Sequence, residues 1–131
     1  MSEKNIISPL FRIVITVLFV LLSFNLFIPV SRGDQAEAEQ GKKLFKDRAC
    51  AACHTIGKGK LTGPDLAGVS KRRNEEWLKK WLKSPETMLM SDPIAKEMLG
   101  VYMVPMPNQG LSDEEIDALI DYFEYEDTNK K

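Results

Sequence analysis

The chain has 131 residues, with 18 basic and 19 acidic side chains and a formal net charge of -1. That length allows one domain, two at most. A single histidine, His54, and two cysteines, Cys50 and Cys53, exclude any mechanism that needs two imidazoles and leave too few nitrogen and sulfur ligands for a closed zinc site.

From Ile13 to Val30 the chain carries no charge, with Arg12 and Arg32 close on either side. Lys4, Arg12 and the amino terminus outweigh Glu3 ahead of this run, so that end is expected to stay cytoplasmic and the remainder to be exported. As a helix the run spans about 27 Å, close to the ~30 Å hydrocarbon core. It is longer than the roughly 7–15 apolar residues of a signal peptide. Residues 1–33 therefore read as a signal-anchor. A cleaved signal peptide is the alternative, with Ser31-Arg-Gly33 or Ala36-Glu-Ala38 as cleavage sites. The exported part, from Asp34 on, has few residues for a self-sufficient core, so something besides its own side chains is expected to hold it.

Residues 34–40 are polar and small and read as a tether, 41–127 as the domain and 128–131 as a polar tail. Ala38, Gly41, Leu44 and Phe45 recur at helical spacing towards Cys50. Residues 55–73, rich in Gly, Lys and Pro, read as loop. Asn74 is placed to cap a helix whose Trp77, Leu78, Trp81 and Leu82 share a face, and Pro85 closes it. Ser91-Asp-Pro93 opens a short helix expected to stop at Gly100, and residues 101–110 read as an irregular loop. Ser112-Asp-Glu-Glu115 is a capping box, followed by Ile116, Leu119, Ile120 and Phe123 on one face. No run alternates as a strand. The expected fold is all-α: about four helices with long loops, preceded by an N-terminal apolar helix.

The chemistry lies in Cys50-Ala-Ala-Cys53-His54. C-x-x-C-H is an attachment site for a single covalent haem c. Two thiols add across the vinyl groups of one haem edge, and the next residue presents an imidazole to the iron. A thioredoxin-like pair would want a strand before Cys50, where a helix is expected instead, and a disulfide across so small a loop stabilises little. Since His54 is the only histidine, the sixth ligand is sought among the methionines. Met88, Met90, Met98, Met103 and Met106 cluster in sequence. Met98 is expected to pack in its helix; Met88 and Met90 are expected in the core or the haem pocket, or else as a copper-handling pair. Met106, with Pro105 and Pro107 stiffening its loop, is the preferred ligand, and Met103 is the alternative.

The exported part resembles the class I monohaem bacterial cytochromes c over about Gln40 to Tyr125. Gly41-x-x-x-Phe45 is similar to the first helix of that family and Leu119-x-x-Tyr122 to the last, which cross in close contact. Gly63-Pro64-Asp65-Leu66 resembles the family's Gly-Pro-x-Leu. The resemblance implies that the Pro64 carbonyl orients the proximal imidazole and that Leu66 packs on the haem. Leu78-x-x-Trp81-Leu82-x-x-Pro85 is similar to the helix backing the distal side, which makes Trp81 a haem-pocket residue. Met106-Pro-Asn-Gln-Gly-Leu-Ser-Asp resembles the loop carrying the axial methionine.

A six-coordinate His/Met iron has no open site for a small-molecule substrate. The expected function is therefore one-electron transfer between respiratory redox partner proteins, not catalysis, on the periplasmic side of the cytoplasmic membrane. The chain would be anchored by residues 13–30 or soluble after cleavage. A haem sensor or enzyme with an open distal site and a copper-handling assembly factor are the other readings. Residues 42–83 hold 12 basic and 4 acidic side chains, and residues 84–127 hold 1 basic and 11 acidic. The split suggests docking of Lys42, Lys43, Lys46, Lys58 and Lys60 on an acidic partner surface. For an exported, net acidic haem protein, nucleic acid is not an expected partner.

Overall fold

The computed structural model describes Val14, Ile15, Val17, Leu18 and residues 31–129, the side chains of residues 31–34 excepted. The chain divides into two units, residues 1–31 and 32–131. In the first, Val14, Ile15, Val17 and Leu18 are helical and exposed. The rest of the apolar run 13–30, and with it the reading as anchor or signal, lies outside the described residues. Among the described residues no helix is long and apolar enough to cross a membrane.

The second unit is all-helical over its described residues. α1 is Ser31–Asp47, α2 Val69–Arg72, α3 Glu75–Lys83, α4 Pro85–Ser91, α5 Pro93–Tyr102 and α6 Asp113–Asn129, with a 3₁₀ turn at Cys50–Ala52. The four expected helices are α1, α3, α5 and α6; the short α2 and α4 add to them. Residues 34–40, expected as a tether, are instead part of α1. Gln35-Ala-Glu-Ala-Glu-Gln40 is made of strong helix formers, and Ala38 is buried. Pro85 does end α3, but it also opens α4 at a position where its missing N–H costs nothing. α5 runs past Gly100, which keeps a helical backbone, and closes where Met103 turns left-handed and its N–H bonds to the Leu99 carbonyl.

The caps are made by the side chains the sequence placed there. Asn74 Oδ1 accepts from Trp77 N at 2.8 Å. Asp92 accepts from Ala95 N at 2.9 Å. Ser112 and Glu115 exchange side-chain to backbone bonds across the first turn of α6. α6 buries Ile116, Leu119, Ile120 and Phe123, together with Ala118 and Tyr122. Against this face lie Phe45 of α1, Val69 of α2, and Leu78 and Leu82 of α3 in one continuous core. α4 packs on α3 and α5, so residues 85–102 form a hairpin of two short helices at the edge of that core.

α1 and α6 cross at Gly41. A Cβ there would lie 1.8 Å from the Ala118 carbonyl oxygen and 2.7 Å from Tyr122 Cβ, so backbone meets backbone and nothing yields cheaply. Beside the crossing, the Phe45 ring sits 5.9 Å from that of Tyr122 and edge-on to Phe123 at 6.2 Å. Gly41→Ala is expected to destabilise the haem-loaded protein by about 3 kcal/mol or more in denaturant unfolding. Gly100→Ala, with nothing within 4 Å of the added carbon, is expected to stabilise α5 by roughly 0.5–1 kcal/mol.

Candidate functional site

The helices enclose a cavity of about 610 Å³, within the size range of cofactor sites. Its lining is mostly apolar. Phe45, Leu78, Leu82, Leu119 and Phe123 come from the core; Cys50, Cys53 and His54 from the turn after α1; Pro64 and Leu66 from the loop before α2; Trp77 and Trp81 from α3; and Leu89, Met98, Leu99, Tyr102 and Met106 from the hairpin and the segment after it.

The turn that carries the cysteines is set by the end of α1. Ala49 adopts a left-handed backbone at φ 55°, which lets Cys50 start a tight turn. Cys53 N and His54 N then both donate to the Cys50 carbonyl. Arg48 forms an ion pair with Glu115 in the first turn of α6, fixing the turn to the core. Cys50 and Cys53 are free thiols, both partly buried. Burial pushes the Cys50 thiol up from its ordinary range, and the nearby Arg48 charge only partly offsets this.

His54 Nδ1 lies 2.9 Å from the Pro64 carbonyl oxygen. A carbonyl only accepts, so Nδ1 carries the donated proton, and in the neutral imidazole the lone pair then lies on Nε2. The approach is tight enough to require glycine beside it: a Cβ on Gly63 would lie 2.4 Å from His54 Cε1. Gly63 N donates to the Cys53 carbonyl and Leu66 N to that of Thr55, so residues 53–55 and 63–66 run side by side. Asp65 closes the intervening loop. Its carboxylate accepts from Gly57 N at 2.7 Å, Gly59 N at 2.6 Å and Ala67 N at 2.9 Å. These bonds, that from Ala67 first, hold the Asp65 carboxyl down at about 2.

Trp77 and Trp81 stack at 5.5 Å with 13° between their planes, and the Arg73 guanidinium lies 5.3 Å over Trp77. Trp77 Nε1 donates to Asp92 at 3.2 Å, tying the head of α5 to α3. Of the residues expected at the site, Cys50, Cys53, His54, Pro64, Leu66, Trp81 and Met106 line this cavity. Met103 does not; it is 80% exposed. Met88 is buried outside the cavity. Met90, expected in the core or pocket, is instead 81% exposed, because residues two apart on a helix face different ways. That same spacing keeps Met88 and Met90 from converging as a copper pair. Met98, expected only to pack, lines the cavity, as do Leu89, Leu99, Tyr102, Arg72 and Arg73, none of which the sequence reading named. The spacing Ile94, Met98, Tyr102 carried that signal for α5.

Two free thiols, an imidazole with one open lone pair and a thioether on the wall of a mainly apolar, aromatic-lined cavity match the donor set of a covalent haem. A family model described as "Cytochrome c" matches residues 38–125. The chain belongs to the cytochrome c family. Among solved structures, this cytochrome is similar to a cytochrome c from Rhodothermus marinus, with 31% identity, a TM-score of 0.71, and coverage of 74% of this chain and 82% of that one. It is also similar to the cytochrome c domain of a Pseudomonas putida protein, with 40% identity, a TM-score of 0.61, and coverage of 68% of this chain and 89% of that one. A curated relative, cytochrome c oxidase subunit 2 of Bacillus subtilis, is 31% identical over 99 residues, or 65% of this chain; this cytochrome spans only 25% of that protein's length. The fold is thus that of the class I monohaem cytochromes c, a family of electron carriers, and the chain carries one covalent c-type haem.

The Asp65 contribution to stability is complete above the usual aspartate range near pH 4 and is lost as pH falls through about 2. Asp65→Asn is therefore expected to flatten the fall of stability between roughly pH 4 and 2. It should also speed amide exchange at Gly57 and Gly59, both read on the haem-loaded protein.

Proposed function

We propose that this cytochrome carries single electrons between protein redox partners on a haem joined to Cys50 and Cys53 and ligated by His54 and Met106. It would work at the periplasmic face of the cytoplasmic membrane, held there by residues 13–30. The observation that carries the ligand assignment is the contrast between two methionines three residues apart: Met106 is half-buried on the cavity wall, and Met103 is 80% exposed.

When bound, such a haem changes oxidation state by one electron, at a potential raised by the methionine ligand. The residues of the chain do the rest. The Pro64 carbonyl fixes the His54 ring so that Nε2 alone is left to ligate. Pro105 and Pro107 stiffen the backbone on both sides of Met106. Leu66, Trp81, Leu99 and Phe123 make the cavity wall mostly apolar, which suits a carrier whose haem passes electrons without binding a small-molecule substrate. Similarity to part of a cytochrome c oxidase subunit supports an oxidase as one partner.

Of the five lysines expected to dock, we assign the docking face to those that have no ion-pair partner among the described residues. Lys42 pairs with Glu39 and Lys43 with Asp47. Lys79, Lys80 and Lys83 are likewise paired with nearby carboxylates. Lys46, Lys58 and Lys60 are exposed and form no ion pair among the described residues, and Lys60 stands at the rim of the cavity. Cations without internal partners keep their field for an incoming anionic surface.

Met106→Ala should abolish the weak far-red absorption band that marks methionine on ferric haem iron and should open the reduced protein to carbon monoxide. Met103→Ala should leave both unchanged, and the reverse outcome would move the ligand to Met103. For the docking face, oxidation of the reduced protein by anionic ferricyanide should slow as salt rises and slow several-fold in Lys58→Glu/Lys60→Glu. A rate indifferent to both contradicts the assigned face.

A further inference from the structure

Residues 104–111 bring Met106 to the cavity wall, yet their backbone has little to hold them there. Pro105 and Pro107 have no N–H to donate. Val104, Pro105, Pro107 and Asn108 are exposed. Met103, just ahead, stands at φ 61°, a region that side chains such as methionine avoid. At the far end, Leu111 is buried. Among the described residues, the hydrogen bonds that join this segment to another element all come from one side chain, Asn108. Its Nδ2 lies 3.4 Å from the Lys83 carbonyl oxygen and 3.1 and 3.3 Å from the two carboxylate oxygens of Glu86. Its Oδ1 accepts from Gly110 N at 2.8 Å, so one amide both grips and folds the loop.

What it grips is rigid. Lys83 ends α3 and Glu86 lies in the first turn of α4, on either side of the buried Pro85. We propose that Asn108 is the positioning residue of the ligand loop, clasping residues 104–110 to the α3–α4 corner and so holding Met106 in place. This rests on Met106 being the sixth ligand. Lifting this loop would carry the Met106 thioether away from the iron, and lifting it breaks the Asn108 contacts. The clasp therefore acts on the ligated state and not on the global fold, since the hydrogen bonds of Asn108 go to Lys83, Glu86 and Gly110 and to no residue of the hydrophobic core.

The test uses the haem-loaded ferric protein and free imidazole, which competes with methionine for the iron. Asn108→Asp removes the donor, keeps the acceptor for Gly110 N, and sets two carboxylates against each other. It should raise imidazole affinity roughly fivefold, the scale of one hydrogen bond, and lower the temperature at which the far-red methionine band disappears. The global unfolding midpoint should stay at the wild-type value. Glu86→Ala should act in the same direction but less, since the Lys83 contact remains. Asn108→Asp/Glu86→Gln restores a donor on the opposite side and should recover most of the wild-type behaviour. Imidazole affinity equal to wild type in Asn108→Asp, or a rise matched by general destabilisation, overturns the clasp. A wild-type protein without the far-red band overturns Met106 ligation itself, and the clasp with it.

Discussion

The hydrogen bond from His54 Nδ1 to the Pro64 carbonyl joins two loop segments ten residues apart and orients the only imidazole in the chain. Its geometry propagates outward. The ring reaches the carbonyl only because Gly63 has no side chain. Gly63 and Leu66 hold position by pairing with the backbone of Cys53 and Thr55, and Asp65 stitches the intervening loop through three backbone N–H groups. Further out, Asp127 at the end of α6 accepts from Gly68 N, Ser70 N and Ser70 Oγ, so the last helix anchors the far side of the same loop. The proximal half of the site is thus a set of short-range contacts tied down at both ends.

The distal half is built differently. The α4–α5 hairpin supplies Leu89, Met98, Leu99 and Tyr102 to the cavity and is held to α3 through the bond from Trp77 to Asp92. Its floor is the core itself, because Phe45, Leu78, Leu82, Leu119 and Phe123 belong to both. A haem in that space is the missing centre of the core rather than a guest in a finished pocket. This resolves the problem posed by the short domain: its helices need an apolar body to close upon, and the cysteines attach one covalently.

Much of this was legible in the sequence where chemistry is local. C-x-x-C-H names its cofactor by residue type and spacing, and Asn74, Asp92 and Ser112 cap helices by rules that reach only three residues. What was not legible depends on distant parts meeting. Residues 34–40 look like a tether by composition, yet their alanines and glutamates favour helix and Ala38 finds a core to bury in. α4 was hidden because Pro85, a correct end for α3, is an equally good start for the next helix. Met90 and Met106 are both methionines near proline. Only the fold shows one turned outwards and the other at the cavity wall.

In the proposed ligation, this wall holds Met106 against the iron. The most direct measurement is the proton spectrum of the reduced protein, in which the methyl group of a ligated methionine is moved far upfield by the haem ring current. One such three-proton resonance is expected, assigned to Met106 by isotope labelling and sequence-specific assignment. Its absence, or its assignment to Met103, would mean that Met106 is not the sixth ligand.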